Sequence, residues 1–297
     1  MLSDLALSLI RDVFSRPDLF ADLPHVQRRV VAWGHDAKPI PLQHSSIVVS
    51  EELLLDSLRL GIAFSDEPLD GTPDFTVLAV RPLPADVEDH RFGSRTASAV
   101  EVRLRHPEDV SSCWIESFDG PNGDAGWLFL IPQAGANWLL AVGATPEKLL
   151  ESSQVIGPRV ELLERRSATF ATCPRIVSPL GGSDWLTCGM AAMAFDPICG
   201  DGTAHAVREA ILASAVIGCV ASGGDPVPAI AHYGARLTAG FNRHLQLCRE
   251  FYRSGGTGAW WKAELDALET GILWCESQAR GHGEFRYRLE GFELVAL

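Results

Sequence analysis

Residues 188–214, CGMAAMAFDPICGDGTAHAVREAILAS, constrain the fold more than any other stretch. They read as the end of a strand, a tight glycine-rich turn and a long helix. Asp196-Pro197 forces an extended or turn conformation, because the residue before a proline avoids the helical region. Gly200-Asp201-Gly202 then lets the backbone pass close to another group. The helix that follows begins with unpaired N–H groups and the positive end of its dipole. Such an end suits a phosphate, a carboxylate or an electron-rich ring.

The pattern around this stretch is mixed. Residues 2–15 carry leucines and isoleucine at helical spacing, and 26–33 (VQRRVVAW) has strand character. Ser50 and Gly61 read as the caps of a helix over EELLLDSLRL. Residues 66–74 (DEPLDGTPD) read as a turn-rich connector. From about 75 to 143, short apolar or alternating runs are separated by Gly, Pro, Asn and Asp, the signature of an antiparallel sheet. Residues 145–153 read as a short helix started by Thr145 and Pro146, and 185–189 as a buried strand. Helices are expected over 201–221, 226–253 and 259–277, and strand-like alternation closes the chain. Gly255-Gly256-Thr257-Gly258 reads as a connector between two of these helices.

The fold class is therefore mixed α+β. The expected segments are 1–61 with 157–225, a sheet-rich 62–156, and a helical 226–297 with a closing strand. In 297 residues, 46% hydrophobic and 21% charged, a sizeable core is affordable. The net charge of −13 argues against nucleic acid and against an anionic membrane surface. No apolar run reaches the roughly 18–20 residues of a bilayer span. The N-terminus lacks a basic segment and does not read as a signal peptide. Seven cysteines without a C-x-x-C pair point away from a metal site and toward reduced thiols in the cytoplasm.

At this point the sequence resembles a family. Gly189-x-Ala-Ala-x-x-Phe-Asp-Pro-x-x-Gly-x-Gly202, followed by an alanine-rich helix, is similar to the second flavin-binding segment of FAD-dependent monooxygenases, geranylgeranyl reductases and flavin-dependent halogenases. GWLFLIP (126–132) resembles the halogenase W-x-W-x-I-P segment, with Phe129 at its second aromatic position. RRVVAWG, VVSEELLLDSL and the late helical AGFNRHLQLCREFYRSGGTGAWW extend the similarity over about 26–275. The resemblance implies an antiparallel-sheet substrate domain, a partial FAD-binding domain and C-terminal helices. It implies that Gly189, Asp196, Pro197, Gly200, Asp201, Gly202 and Thr203 contact FAD, and that Trp127 and Phe129 contact a substrate.

Three departures qualify what the resemblance implies. No G-x-G-x-x-G occurs in the sequence, so the usual anchor for the ADP half of FAD is missing. Position 190 is methionine, where the family pattern has an aspartate that holds the ribityl chain. The stretch 61–92 is short for the family. The implied activity is that of a flavin-dependent oxidoreductase of the monooxygenase or halogenase lineage, acting on a small aromatic or apolar substrate. A protein partner or flavin reductase would supply reduced flavin. The alternative is a non-catalytic, cofactor-free homologue that binds a small ligand or assists another protein; a start assigned too far downstream would also account for the missing glycine turn. No catalytic residue is identified. His44 beside Ser45 and Ser46 reads as a loop histidine, His205 as a surface or packing residue, and Lys38 receives no role.

Overall fold

The computed structural model describes residues 1–35, 37–60, 62, 71, 73–120, 124–133, 136–200, 202–281 and 286–297; nothing is drawn from the side chains of 164–166 and 281. In the first part of the chain lie β1 (Leu2–Ser3), α1 (Asp4–Val13), β2 (His25–Ala32), β3 (Ile40–Ile47), α2 (Glu51–Arg59), β4 (Thr76–Leu78) and β5 (Glu88–Arg91). The middle carries β6 (Thr96–Leu104), β7 (Ser112–Asp119), β8 (Ala125–Ile131), β9 (Asn137–Gly143), α3 (Pro146–Ser152) and β10 (Val160–Ala171). There follow β11 (Arg175–Ser178), β12 (Gly181–Gly182), β13 (Trp185–Thr187) and β14 (Met193–Ala194). The end holds α4 (Gly202–Ala221), α5 (Pro226–Gly255), α6 (Ala259–Gly281), β15 (Tyr287–Glu290) and β16 (Glu293–Ala296). The protein is mixed α+β.

Two compact units share the chain: 1–60, 93–173 and 248–267 form one, and 61–92, 174–247 and 268–297 the other. The first is built on an eight-stranded sheet in the order β1-β3-β2-β7-β8-β9-β6-β10. The hairpins β7–β8 and β8–β9 are antiparallel, as the alternating runs predict, whereas β2 lies parallel to β7. That pairing draws residues 1–60 into the sheet unit, where the sequence groups them with 157–225.

Alternation along the central strands separates two apolar layers. Leu128, Leu130, Leu139 and Ala141 join Val30, Trp114, Leu149 and Ile156 on one face. Trp127 and Phe129 point to the other. There Trp127 is 0% exposed and donates its Nε1–H to the Tyr252 hydroxyl at 3.2 Å. Trp33 packs 6.5 Å from Trp127 and 5.7 Å from Trp261, and Trp261 lies 5.5 Å from Tyr252. Each such buried aromatic contributes about 2 kcal/mol or more through area alone.

Several buried polar groups in this unit are paired. Arg95 and Glu264 form an ion pair, 1% and 2% exposed, with the Arg95 guanidinium 4.5 Å above the Tyr252 ring. Glu264 also accepts from the Ser94 N–H and hydroxyl at 3.1 and 3.0 Å. Glu116 accepts from the N–H groups of Gln154, Val155 and Ile156 and from the Ser153 hydroxyl, which ties the chain after α3 to the sheet. Asp119 accepts from Thr257 and Gly258 and so clasps the α5–α6 connector that the glycine run predicts.

The second unit holds smaller sheets. β13 runs parallel to β4 and antiparallel to β12, and β11 lies between β14 and β5. α4 and the β15–β16 hairpin belong to the same unit. Among the described residues α4 is the one helix long and apolar enough to cross a membrane by length and composition, with a mean hydropathy of 1.5 over its most apolar window. The apolar stretch from 210 is the later part of this helix, whose first two turns also carry His205, Arg208 and Glu209. α4 nonetheless buries Ala204, Glu209, Leu212, Ala213, Ala215 and Val216.

Candidate functional site

The strand–turn–helix of 185–221 lies within the second unit, and its local chemistry sets its shape. β13 ends at Thr187, whose carbonyl accepts the Tyr233 hydroxyl at 2.7 Å. A single 3-10 turn covers Gly189–Ala191, then β14 adds to β11. The Asp196 carboxylate is 2% exposed and caps the next 3-10 turn by accepting the Ile198 N–H at 2.9 Å. Pro197 occupies the first position of that turn, and Gly200 closes it at φ 66°, a left-handed conformation that a side chain resists. The Asp196 N–H donates to His244 Nε2 at 2.9 Å.

α4 then begins at Gly202, which is exposed, with Thr203 half-buried behind it. A Cβ placed on Gly189 or on Gly202 would meet no atom within 4 Å, so space is open beside both. The structure thus brings Gly189, Asp196, Pro197, Gly200, Gly202 and Thr203 onto one continuous strand–turn–helix. Asp201 lies outside the described residues. Asp196 and Pro197 shape the turn, and the open positions are Gly189 and Gly202.

Met190 is 69% exposed, and its carbonyl accepts from Arg175. His205, in the first turn of α4, stacks on Phe195 at 4.3 Å and 18°, as a packing residue does. Phe195 in turn meets His244 edge-on at 4.8 Å.

Sequence reasoning overlooked Glu209. It lies two turns along α4, 6% exposed, and its Oε2 accepts the Gly189 N–H at 3.0 Å. No described cation pairs with it. Burial pushes its carboxyl up to about 7, against the opposing Gly189 hydrogen bond. Cys188 and Tyr233 face it. Burial and then Glu209 raise the Cys188 thiol to about 11, and burial followed by Cys188 and Glu209 raises the Tyr233 phenol. An acid in an apolar run at helical spacing was the available signal, since an unpaired carboxylate avoids such a face.

The other candidates fall in the first unit. Phe129 is 5% exposed, with the Arg29 guanidinium 6.0 Å above its ring. His44 is in strand β3 and not in a loop. Its Nε2 and the fully buried Ser46 Oγ have no hydrogen-bond partner among the described residues, so no Ser–His couple forms. Lys38 lines a cleft of about 510 Å³ together with His35, Asp119, Asp124 and Gln154.

The flavin-dependent halogenase CmlS superposes with a TM-score of 0.71 at 16% identity, over 94% of this chain and 64% of that one. The chain has the flavin-dependent halogenase fold. The myxobacterial chondrochloren halogenase CndH gives 0.70 at 15% identity, over 94% of this chain and 81% of CndH. The peptidyl tryptophan dihydroxylase QhpG gives 0.65 at 20% identity, over 89% and 69%. The chain thus spans about two thirds of the length of CmlS and QhpG. No family model matches the sequence, and a search of curated proteins returns no match.

The residues present fit one half of a flavin nucleotide. Open backbone at Gly189 and Gly202 and the exposed start of a 20-residue helix suit the ring and its ribityl chain. The ADP half finds no G-x-G-x-x-G turn in the sequence.

Proposed function

We propose that the protein is a flavin-dependent oxidoreductase of the monooxygenase or halogenase lineage, working in the cytoplasm on a small aromatic or apolar substrate. The observation that carries this reading is the open Gly189-to-Gly202 turn leading into α4, set in a fold shared with flavin-dependent halogenases. Bound flavin, reduced by a separate reductase, would supply the redox chemistry. The chain's own part is to place the α4 N-terminus where anionic charge collects and to keep water from it. Thr203 and the N–H groups of the first turn serve as donors. Phe129 is the substrate-facing aromatic, and Trp127 shapes that sheet face from beneath.

The test is an absorbance spectrum of the purified chain with and without FAD. A yellow protein, or flavin bands perturbed on addition, supports the reading; a colourless protein that leaves added FAD unchanged removes it. The exposed Met190 in the place of a ribityl-holding aspartate favours a second reading. In it the sheet unit persists as a cofactor-free small-ligand binder or accessory protein. Tryptophan fluorescence titrated with a panel of aromatic compounds distinguishes the two, since the second reading requires quenching without any flavin.

A further inference from the structure

We propose that the Glu209 carboxylate holds the ribityl hydroxyls of the flavin at the Gly189–Met190 turn, taking over the part of the aspartate that position 190 lacks. The proposal rests on the flavin reading above. It begins from reach: a side chain from the second turn of α4 delivers its Oε2 to within 3.0 Å of the Gly189 N–H, at the turn where the acceptor is missing.

Spare capacity is the next point. An ionised carboxylate offers about four acceptor sites, and Gly189 takes one of them. No described cation uses the others, and the Tyr233 hydroxyl is committed to the Thr187 carbonyl. Cys188 remains, a weak donor. Space is open beside Gly189, where a Cβ would touch nothing within 4 Å.

A purely structural cap explains less. A neutral glutamine would satisfy one backbone N–H without the desolvation that a buried carboxylate carries. An acid kept in an otherwise apolar helix face fits a partner rich in O–H donors. Hydroxyls donating to a carboxylate make short, charge-assisted hydrogen bonds.

The ribityl chain can be tested separately from the ring. Riboflavin carries it and lumiflavin does not, so titrating both into wild type, Glu209→Gln and Met190→Asp/Glu209→Gln isolates the contact. Glutamine keeps an acceptor for Gly189, and circular dichroism checks the fold. The expected result is a roughly tenfold loss of riboflavin affinity in Glu209→Gln, less than a twofold change for lumiflavin, and recovery in the double variant.

Equal losses for both flavins would make Glu209 a structural cap only. Unchanged riboflavin affinity would overturn the contact while leaving the flavin reading standing. Wild type binding neither flavin would overturn both. Should Glu209→Gln fail to fold, the Gly189 amide signal of the wild type decides by NMR: riboflavin must shift it and lumiflavin must not, and the reverse refutes the proposal.

Discussion

Glu209 links pH to stability in a direction opposite to most carboxylates. Its folded-state pKa of about 7 lies above the ordinary value of 4.5. Between those values the folded protein binds more protons than the unfolded chain, so stability falls as pH rises from 4.5 and levels off above 7. The ionised group costs about 3 kcal/mol. Glu209→Gln should therefore match wild type near pH 5 and be more stable at pH 8; urea titrations at the two pH values check this. Met190→Asp should raise flavin affinity by restoring an acceptor at the turn, which isothermal titration reads directly. Position 190 was legible in the sequence because it breaks a local pattern. Glu209 was not, because its partner is twenty residues away and no local periodicity reports a side chain folding back onto a preceding turn.

Single elements were legible where caps and turns are local. Ser50 accepts the Leu53 N–H at 3.1 Å and starts α2, as its position predicts. Thr145 starts α3 without a side-chain hydrogen bond, so Pro146 alone fixes that end. α2 ends at Arg59 with Leu60 at its C-cap, and Gly61, the expected cap, lies outside the described residues. The parallel β2–β7 pairing was not legible, since about eighty residues separate its strands and alternation names no partner. Two substitutions test the sheet unit. Glu264→Ala breaks the buried Arg95–Glu264 ion pair and should cost about 3–5 kcal/mol in denaturant unfolding. Gly126→Ala should unfold the β8–β9 edge, because at φ 144° a Cβ would run into the Val142 carbonyl; a lowered melting midpoint with lost near-ultraviolet dichroism is the expected readout.

Across the whole molecule the cysteines carry a simple expectation. None of the seven forms a disulfide, and four are buried and three half-buried. Among the half-buried three, Cys188 is held protonated by burial and by Glu209. A thiol reagent at pH 8 should modify Cys199 and Cys219 first and reach all seven only in denaturant, with mass spectrometry locating each adduct. Fold class was readable from the switch between alternating and helical spacing. The division into two units was not, because each is assembled from three separated stretches of chain.

The hydrogen bond from the Asp196 N–H to His244 has a consequence of its own. An imidazole that accepts through Nε2 must keep its proton on Nδ1. A side chain without an acceptor at that place would strand the buried amide, at a cost of about 1–3 kcal/mol. A substitution at residue 244 therefore reaches the start of α4 through Asp196, although the imidazole belongs to a different helix.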